Sequence, residues 1–126
     1  MAVPWVGSDL VGQKRMQAEL SKKEVMLKYI SEAEADVLLR TVIETWDFEN
    51  STEESVKALI EQMEKEGIEN FVLKPNGEGG SNNFFGAEAY EKFKTLNANE
   101  RLNYILTRKI VPRRSINHLL TLNEKG

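Results

Sequence analysis

The stretch Lys74-Pro75-Asn76-Gly77-Glu78-Gly79-Gly80-Ser81-Asn82-Asn83 gathers an amine, a carboxylate, several amide side chains and three glycines into ten consecutive positions. Glycine has no Cβ, so backbone N–H groups at Gly77, Gly79 and Gly80 can approach an anion closely, and a lysine at the mouth of such a loop aims an ammonium at a phosphate. Glu78 is a hard oxygen ligand suited to a Mg²⁺ ion that also takes phosphate oxygens. A surface hairpin with an incidental Lys and Glu has the same composition, so glycine content alone does not choose between the two readings.

Other chemistries are narrowed by what the chain contains. With no cysteine and one histidine, His118, there is no disulfide framework, no zinc–thiolate site and no thiol nucleophile. Arg101, Arg108, Lys109, Arg113 and Arg114 form a basic run that is expected to solvate a strand face rather than to steer an anion. With a formal net charge of -3 and no aromatic residues interleaved with that run, nucleic acid is not an expected partner. No apolar run approaches the ~20 residues needed to cross a bilayer, so no membrane partner is expected and the cytoplasm is the expected compartment. Gly7 and Gly12 followed by Gln13-Lys14 imitate a P-loop but lack the Ser or Thr and the preceding strand that it needs. Asn50-Ser51-Thr52 fits a glycosylation sequon, and a helix cap explains it more simply.

The elements that must position the loop are marked by their own signals. Ser21 to Glu24, Ser31 to Glu34 and Ser51 to Glu54 each have capping-box spacing and predict three helix starts. Ala35, Leu38, Leu39, Val42, Ile43 and Trp46 follow helical spacing from Ser31, as do Val56, Leu59, Ile60 and Met63 from Ser51, and both stripes are expected to be core. Gly67 is placed to end the third helix, after which Ile68 to Leu73 reads as a strand leading into the loop. Ala87 to Leu96 returns to helical spacing, and Tyr104 to Ile110 and Asn117 to Leu122 read as strands. The fold class is α+β: N-terminal helices followed by a small antiparallel or mixed sheet, in one unit over residues 1–126.

The whole string around the loop, with Phe71-Val72-Leu73 before it, resembles the Lys-Pro-x-x-Glu-Gly-Gly-x-Asn-Asn signature of eukaryotic-type glutathione synthetases, which are ATP-grasp ligases. Leu10-Val11-Gly12-Gln13-Lys14-Arg15 resembles that family's Leu-Ala-Gly-Thr-Lys-Lys stretch. Tyr104-Ile105-Leu106, Lys109-Ile110 and Pro112 are similar in order to its adenine-side strand. The three matches lie in register and span nearly all of Pro4 to Leu122.

The resemblance implies ATP and Mg²⁺ as cofactors, with Lys14 and Lys74 at the phosphates and Glu78 as metal ligand. It implies further nucleotide contacts from Pro75 to Asn83, from Phe85, and from Thr107, Arg108, Lys109 and Ile110. Phe85 stands where the family usually has Tyr, Gly77 where it has Arg, Ser81 where it has Gly, and Thr107-Arg108 where it has Met-Glu. Main-chain N–H and C=O groups can still read an adenine whatever the side chains. The implied activity is ligation of γ-glutamylcysteine to glycine, in an enzyme that is a homodimer when intact. The family's substrate-binding portion, upstream Mg²⁺ ligands and glycine-rich lid have no counterpart in these residues, so the chain is expected to be an ATP-grasp fragment inactive by itself, with no catalytic residue assigned. A non-catalytic nucleotide-binding or protein-interaction module on the same fold is the alternative.

Overall fold

A computed structural model describes residues 13–77 and 82–113. The described residues open with three short helices, α1 (Lys14–Leu20), α2 (Lys23–Met26) and α3 (Glu32–Leu39), and β1 (Thr45–Trp46) follows. Then come α4 (Glu53–Glu66), a 3₁₀ turn (Ile68–Asn70), β2 (Phe71–Pro75), β3 (Phe84–Phe85), α5 (Gly86–Thr95), α6 (Ala98–Arg101) and β4 (Tyr104–Arg108). The strands form one antiparallel sheet in the order β1-β4-β2-β3.

Helix α4 follows its sequence signals closely. Val56, Leu59 and Met63 recur on one face and are buried, while the intervening Glu and Lys residues face water. Its start lies one residue beyond the expected Ser51: Thr52 accepts from the Ser55 amide at 3.2 Å, and Ser55 Oγ accepts from the Thr52 amide at 3.0 Å. Two adjacent hydroxyl residues offer two caps, and the sequence alone does not say which the chain takes. Gly67 ends the helix at φ +95°, where a Cβ would meet Glu69 Oε1 at 2.5 Å, so only glycine makes this turn without displacing that side chain.

Side chains alternate across the sheet and divide it into two faces. One face carries Phe71, Leu73, Leu106 and, at its border, Trp46, Phe84 and Tyr104. Helices α4 and α5 cover it with Leu59, Met63, Ala89 and Phe93, and Phe48 joins them with its ring centroid 5.1 Å from that of Phe93. Registers Thr45↔Thr107, Val72↔Thr107, Lys74↔Ile105 and Val72↔Phe85 put those residues on the opposite face. There α1 crosses β1 and β4, with Ala18 fully buried.

Several expectations are corrected. Ser21 does not cap a helix start; it closes α1, its hydroxyl donating to Ala18 O at 2.7 Å, and α2 starts at Lys23 with Lys22 at its N-cap and no side-chain cap. The Ser31–Glu34 box forms as expected, but its helix stops at Leu39. The following Thr41-Val42-Ile43 and Thr45 are β-branched, which favours extended backbone, and Thr45-Trp46 leaves as a strand to pair with Thr107 and Leu106. The stripe from Ser31 is therefore not core: Ala35 is buried, whereas Leu38 and Val42 are exposed. Residues 68–70 form a 3₁₀ turn, so β2 starts at Phe71 and runs on to Pro75. The expected strand Asn117 to Leu122 lies outside the described residues, as does His118.

The basic run does not form a solvated face either. Arg101 is buried, its Nη1 donating to Glu53 Oε1 at 2.9 Å with the guanidinium 5.9 Å above the Phe93 ring. Arg108 pairs with Glu44 at 2.9 Å and with Glu66, and lies over Phe71 and Trp46 at 5.1 and 5.9 Å. Lys109 and Arg113 remain exposed, and Arg114 lies outside the described residues.

Candidate nucleotide site

The sheet face opposite the main core ends at the loop that the sequence marks for phosphate chemistry. Lys74 is the fourth of five residues in β2, half-buried, and its register partner is Ile105. Pro75 closes the strand, since it has no N–H to extend the ladder. The next residue is tied down twice: the Asn76 amide donates to Asn103 O at 2.7 Å and its side-chain Nδ2 to Leu102 O at 2.9 Å. Asn76 Oδ1 is shielded from solvent and has no partner among the described residues.

Lys14 comes to the same place from 61 positions away. As the first residue of α1 it reaches across the sheet end, and its Nζ donates to Pro75 O at 2.5 Å and Gly77 O at 3.1 Å. Two lysines and the opening of the glycine-rich loop are thereby brought together, although no residue in Lys14 to Arg15 and none in Lys74 to Gly77 is near the other in sequence. The Lys14 ammonium, held on two carbonyl oxygens, retains a third donor direction with which to meet an anion. Glu78 to Ser81 lie outside the described residues, and of the expected contacts in the loop only Asn82 and Asn83 rejoin them, leading into β3.

Phe85 sits on the same sheet face as Lys74 through its register with Val72, and it is 53% exposed. Gly86 follows at φ +55°, a left-handed conformation that hands β3 directly to α5. At the far end of β4 the candidates part company. Thr107 lies on the Lys74 face, buried at 3% exposure, and its hydroxyl has no partner among the described residues. Arg108 points to the other face and is held by Glu44 and Glu66, with its backbone amide donating to Glu44 O at 3.1 Å. The Lys109 amide donates to Asn70 O at 2.7 Å, and Ile110 stands exposed just beyond the ladder.

Among the described residues no three carboxylate or imidazole side chains converge on one point. The sequence reading missed the anchoring of Asn76 by Leu102 and Asn103 and the burial of Arg101. The Asn97-x-x-Glu100 capping box that turns the chain at this point was visible as a spacing.

The family model for the ATP-binding domain of eukaryotic glutathione synthase matches residues 6–125. Glutathione synthetase of Xenopus laevis is 35% identical over 122 residues, covering 93% of this chain and 25% of the relative. The Homo sapiens protein is 34% identical over 119 residues with the same coverage, and the chloroplastic protein of Arabidopsis thaliana is 35% identical over 114 residues, 87% of this chain and 20% of the relative. Among solved structures, a glutathione synthetase-like effector from Globodera pallida in its apo form superposes with TM-score 0.58 at 25% identity, over 83% of this chain and 20% of that one. The chain spans about a quarter of the length of the vertebrate relatives. It belongs to the eukaryotic glutathione synthase ATP-binding domain family, in ATP-grasp-like form.

Proposed function

We propose that the chain binds ATP, with the phosphates at Lys14, Lys74 and the loop from Pro75 to Asn83, and the adenine near Thr107 to Ile110. The observation that carries this reading is Lys14 reaching Pro75 and Gly77 across 61 and 63 positions, which brings it to the loop that Lys74 opens. The Arg108 and Lys109 amides already donate, to Glu44 O and Asn70 O, and Ile110 beyond them is exposed, which leaves the chain after Lys109 as the edge for an adenine. Arg108 does not replace the family's acidic side chain there, because it serves the opposite face.

In this reading Glu78 would hold a Mg²⁺ ion, which would neutralise phosphate charge when bound. Lys14 and Lys74 hold and orient the phosphate chain, Phe85 offers a ring flank, and the thirteen-residue stretch Phe71–Asn83 joins strand to cradle. The reaction served is ligation of γ-glutamylcysteine and glycine in a homodimeric, cytoplasmic enzyme, although a chloroplastic relative extends the family to another compartment. Residues for both acceptor substrates come from outside this chain. Ligation through an acyl phosphate requires exclusion of water, and positioning of both substrates is worth ~7–11 kcal/mol of the barrier, so the chain alone is expected to yield no glutathione by mass spectrometry.

Calorimetric titration with Mg-ATP tests the binding. Lys74→Ala and Lys14→Ala should each weaken it tenfold or more, since charge-assisted contacts to phosphate are roughly twice as strong as neutral ones. Unchanged affinity in both variants would remove the loop from the site.

A further inference from the structure

The first residues of the glycine-rich loop are held from two sides. On one side Lys14 Nζ donates to Pro75 O at 2.5 Å and to Gly77 O at 3.1 Å. On the other, the residue between them is tied to the turn before β4: the Asn76 amide donates to Asn103 O at 2.7 Å and its Nδ2 to Leu102 O at 2.9 Å. That turn is itself fixed. Asn97 and Glu100 close a capping box, the Asn103 amide donates to Glu100 O at 3.0 Å, and the buried Arg101 donates to Glu53 Oε1 at 2.9 Å. Asn76 is therefore the pivot between a well-anchored turn and the two carbonyls on which the Lys14 ammonium rests.

We propose that Asn76 is a positioning residue of the nucleotide site and not a contact: through Leu102 and Asn103 it sets where the Pro75 and Gly77 carbonyls stand, and so where Lys14 meets the phosphates. Its side chain is already committed, with Nδ2 bonded to Leu102 O and Oδ1 shielded from solvent, so neither polar atom is offered to a ligand. Lys14 needs such guidance. An ammonium on a flexible four-carbon stem has no fixed direction of its own, and the place of its acceptors decides where its charge sits. A loop opening fixed before the ligand arrives also lowers the ordering cost of binding. The inference rests on the nucleotide reading above and adds to it a residue that acts through others.

Two measurements on the chain test this: amide hydrogen exchange by NMR without nucleotide, and calorimetric titration with Mg-ATP. Asn76→Ala is compared with Asn103→Ala, which truncates an exposed side chain of the same turn and keeps both ties, because Asn103 accepts through its backbone carbonyl. Asn76→Ala should lower protection of the residue 76 amide at least threefold, with the β2–β4 ladder amides unchanged, and should weaken Mg-ATP about fivefold, the scale of one neutral hydrogen bond. Asn103→Ala should change neither. Weaker binding with unchanged protection overturns the proposal, since the side chain would then meet the ligand directly. Lost protection with unchanged affinity overturns it too, as do equal losses in Asn103→Ala. Should Asn76→Ala not fold, exchange of the Asn76 side-chain amide in wild type decides. Slow exchange before nucleotide is added supports positioning, and exchange that stays free, or slows only with Mg-ATP, overturns it. Wild type that does not bind Mg-ATP defeats the nucleotide reading and this inference with it, whereas binding that Asn76→Ala leaves intact defeats this inference alone.

Discussion

Helices α3 and α4 start from the same kind of signal and reach opposite ends. Each begins at a capping box and carries apolar residues at helical spacing. Around α4 those residues meet β2, β4 and α5, and Met63, Phe71, Leu73 and Phe93 lose all contact with water. Around α3 only Ala35 is buried, while Val37 and Leu38 face outward. Apolar periodicity states that a face needs covering; it does not state that the cover lies within the same chain.

The largest effect that separates the two regions is cavity formation. Phe93→Ala should cost about 3–5 kcal/mol in urea unfolding, because the ring is fully buried against Phe48 and beneath Arg101. Leu38→Ala, at 44% exposure, should cost under about 1 kcal/mol. Comparable costs at the two sites would mean that the N-terminal helices are as well covered as the sheet.

Arg108 ties the two regions' edges together through Glu44, just before β1, and Glu66, at the end of α4. Arg108→Gln should cost about 1–2 kcal/mol from the rings it leaves. The pair also carries a pH signature. The guanidinium first, and the Gln62 side chain second, hold the Glu66 carboxyl below the usual range. A carboxylate depressed in the folded state adds stability above its unfolded value, about 4.3, and loses it as pH falls through the lower folded value. Wild type should therefore lose more stability than Arg108→Gln between about pH 5 and 3 in acid titrations of the urea midpoint. Parallel losses would separate Glu66 from Arg108 energetically.

Capping gives a smaller and more local contrast. Thr52→Ala should cost about 1 kcal/mol and Ser51→Ala only a few tenths, since Thr52 holds the α4 start and the Ser51 hydroxyl donates to Phe48 O at 3.0 Å. The reverse order in thermal melts would move the helix start back to Ser51.

These pairs also mark how far the sequence was readable. The α4 stripe, the α5 span, β4 and the α+β class follow from local periods, because their signals and their partners agree. The family was legible through the loop's composition and its likeness to the family signature, while the loop's nucleotide contacts stand as a proposal. That Lys14 would meet Pro75 was not legible from spacing, since a contact over 61 positions depends on tertiary packing. Arg108 reads as a surface cation in sequence because nothing local reveals Glu44, Glu66 and two rings converging on it. The false helical stripe through Trp46 arose because β1 continues the apolar spacing by chance, while the β-branched residues before it were the opposing signal.

The sharpest and smallest expectation uses one substitution at two helical valines. Val56 in α4 is 3% exposed, and Val56→Ala removes two buried methyl groups, which at ~0.8 kcal/mol each plus a residual cavity gives a cost of about 2 kcal/mol. Val37 in α3 makes the same chemical change with most of its surface already in water. Little transfer energy is lost there, and alanine is the better helix former by roughly 0.5 kcal/mol because valine loses side-chain freedom against the preceding turn. The two contributions nearly cancel, so Val37→Ala should lie within about 0.5 kcal/mol of wild type by urea denaturation. Helix propensity is common to both sites, and the difference between the two variants therefore reads burial alone. A cost near 2 kcal/mol at Val37 in the isolated chain would mean that its face is already covered there, and the contrast between α3 and α4 would fall with it.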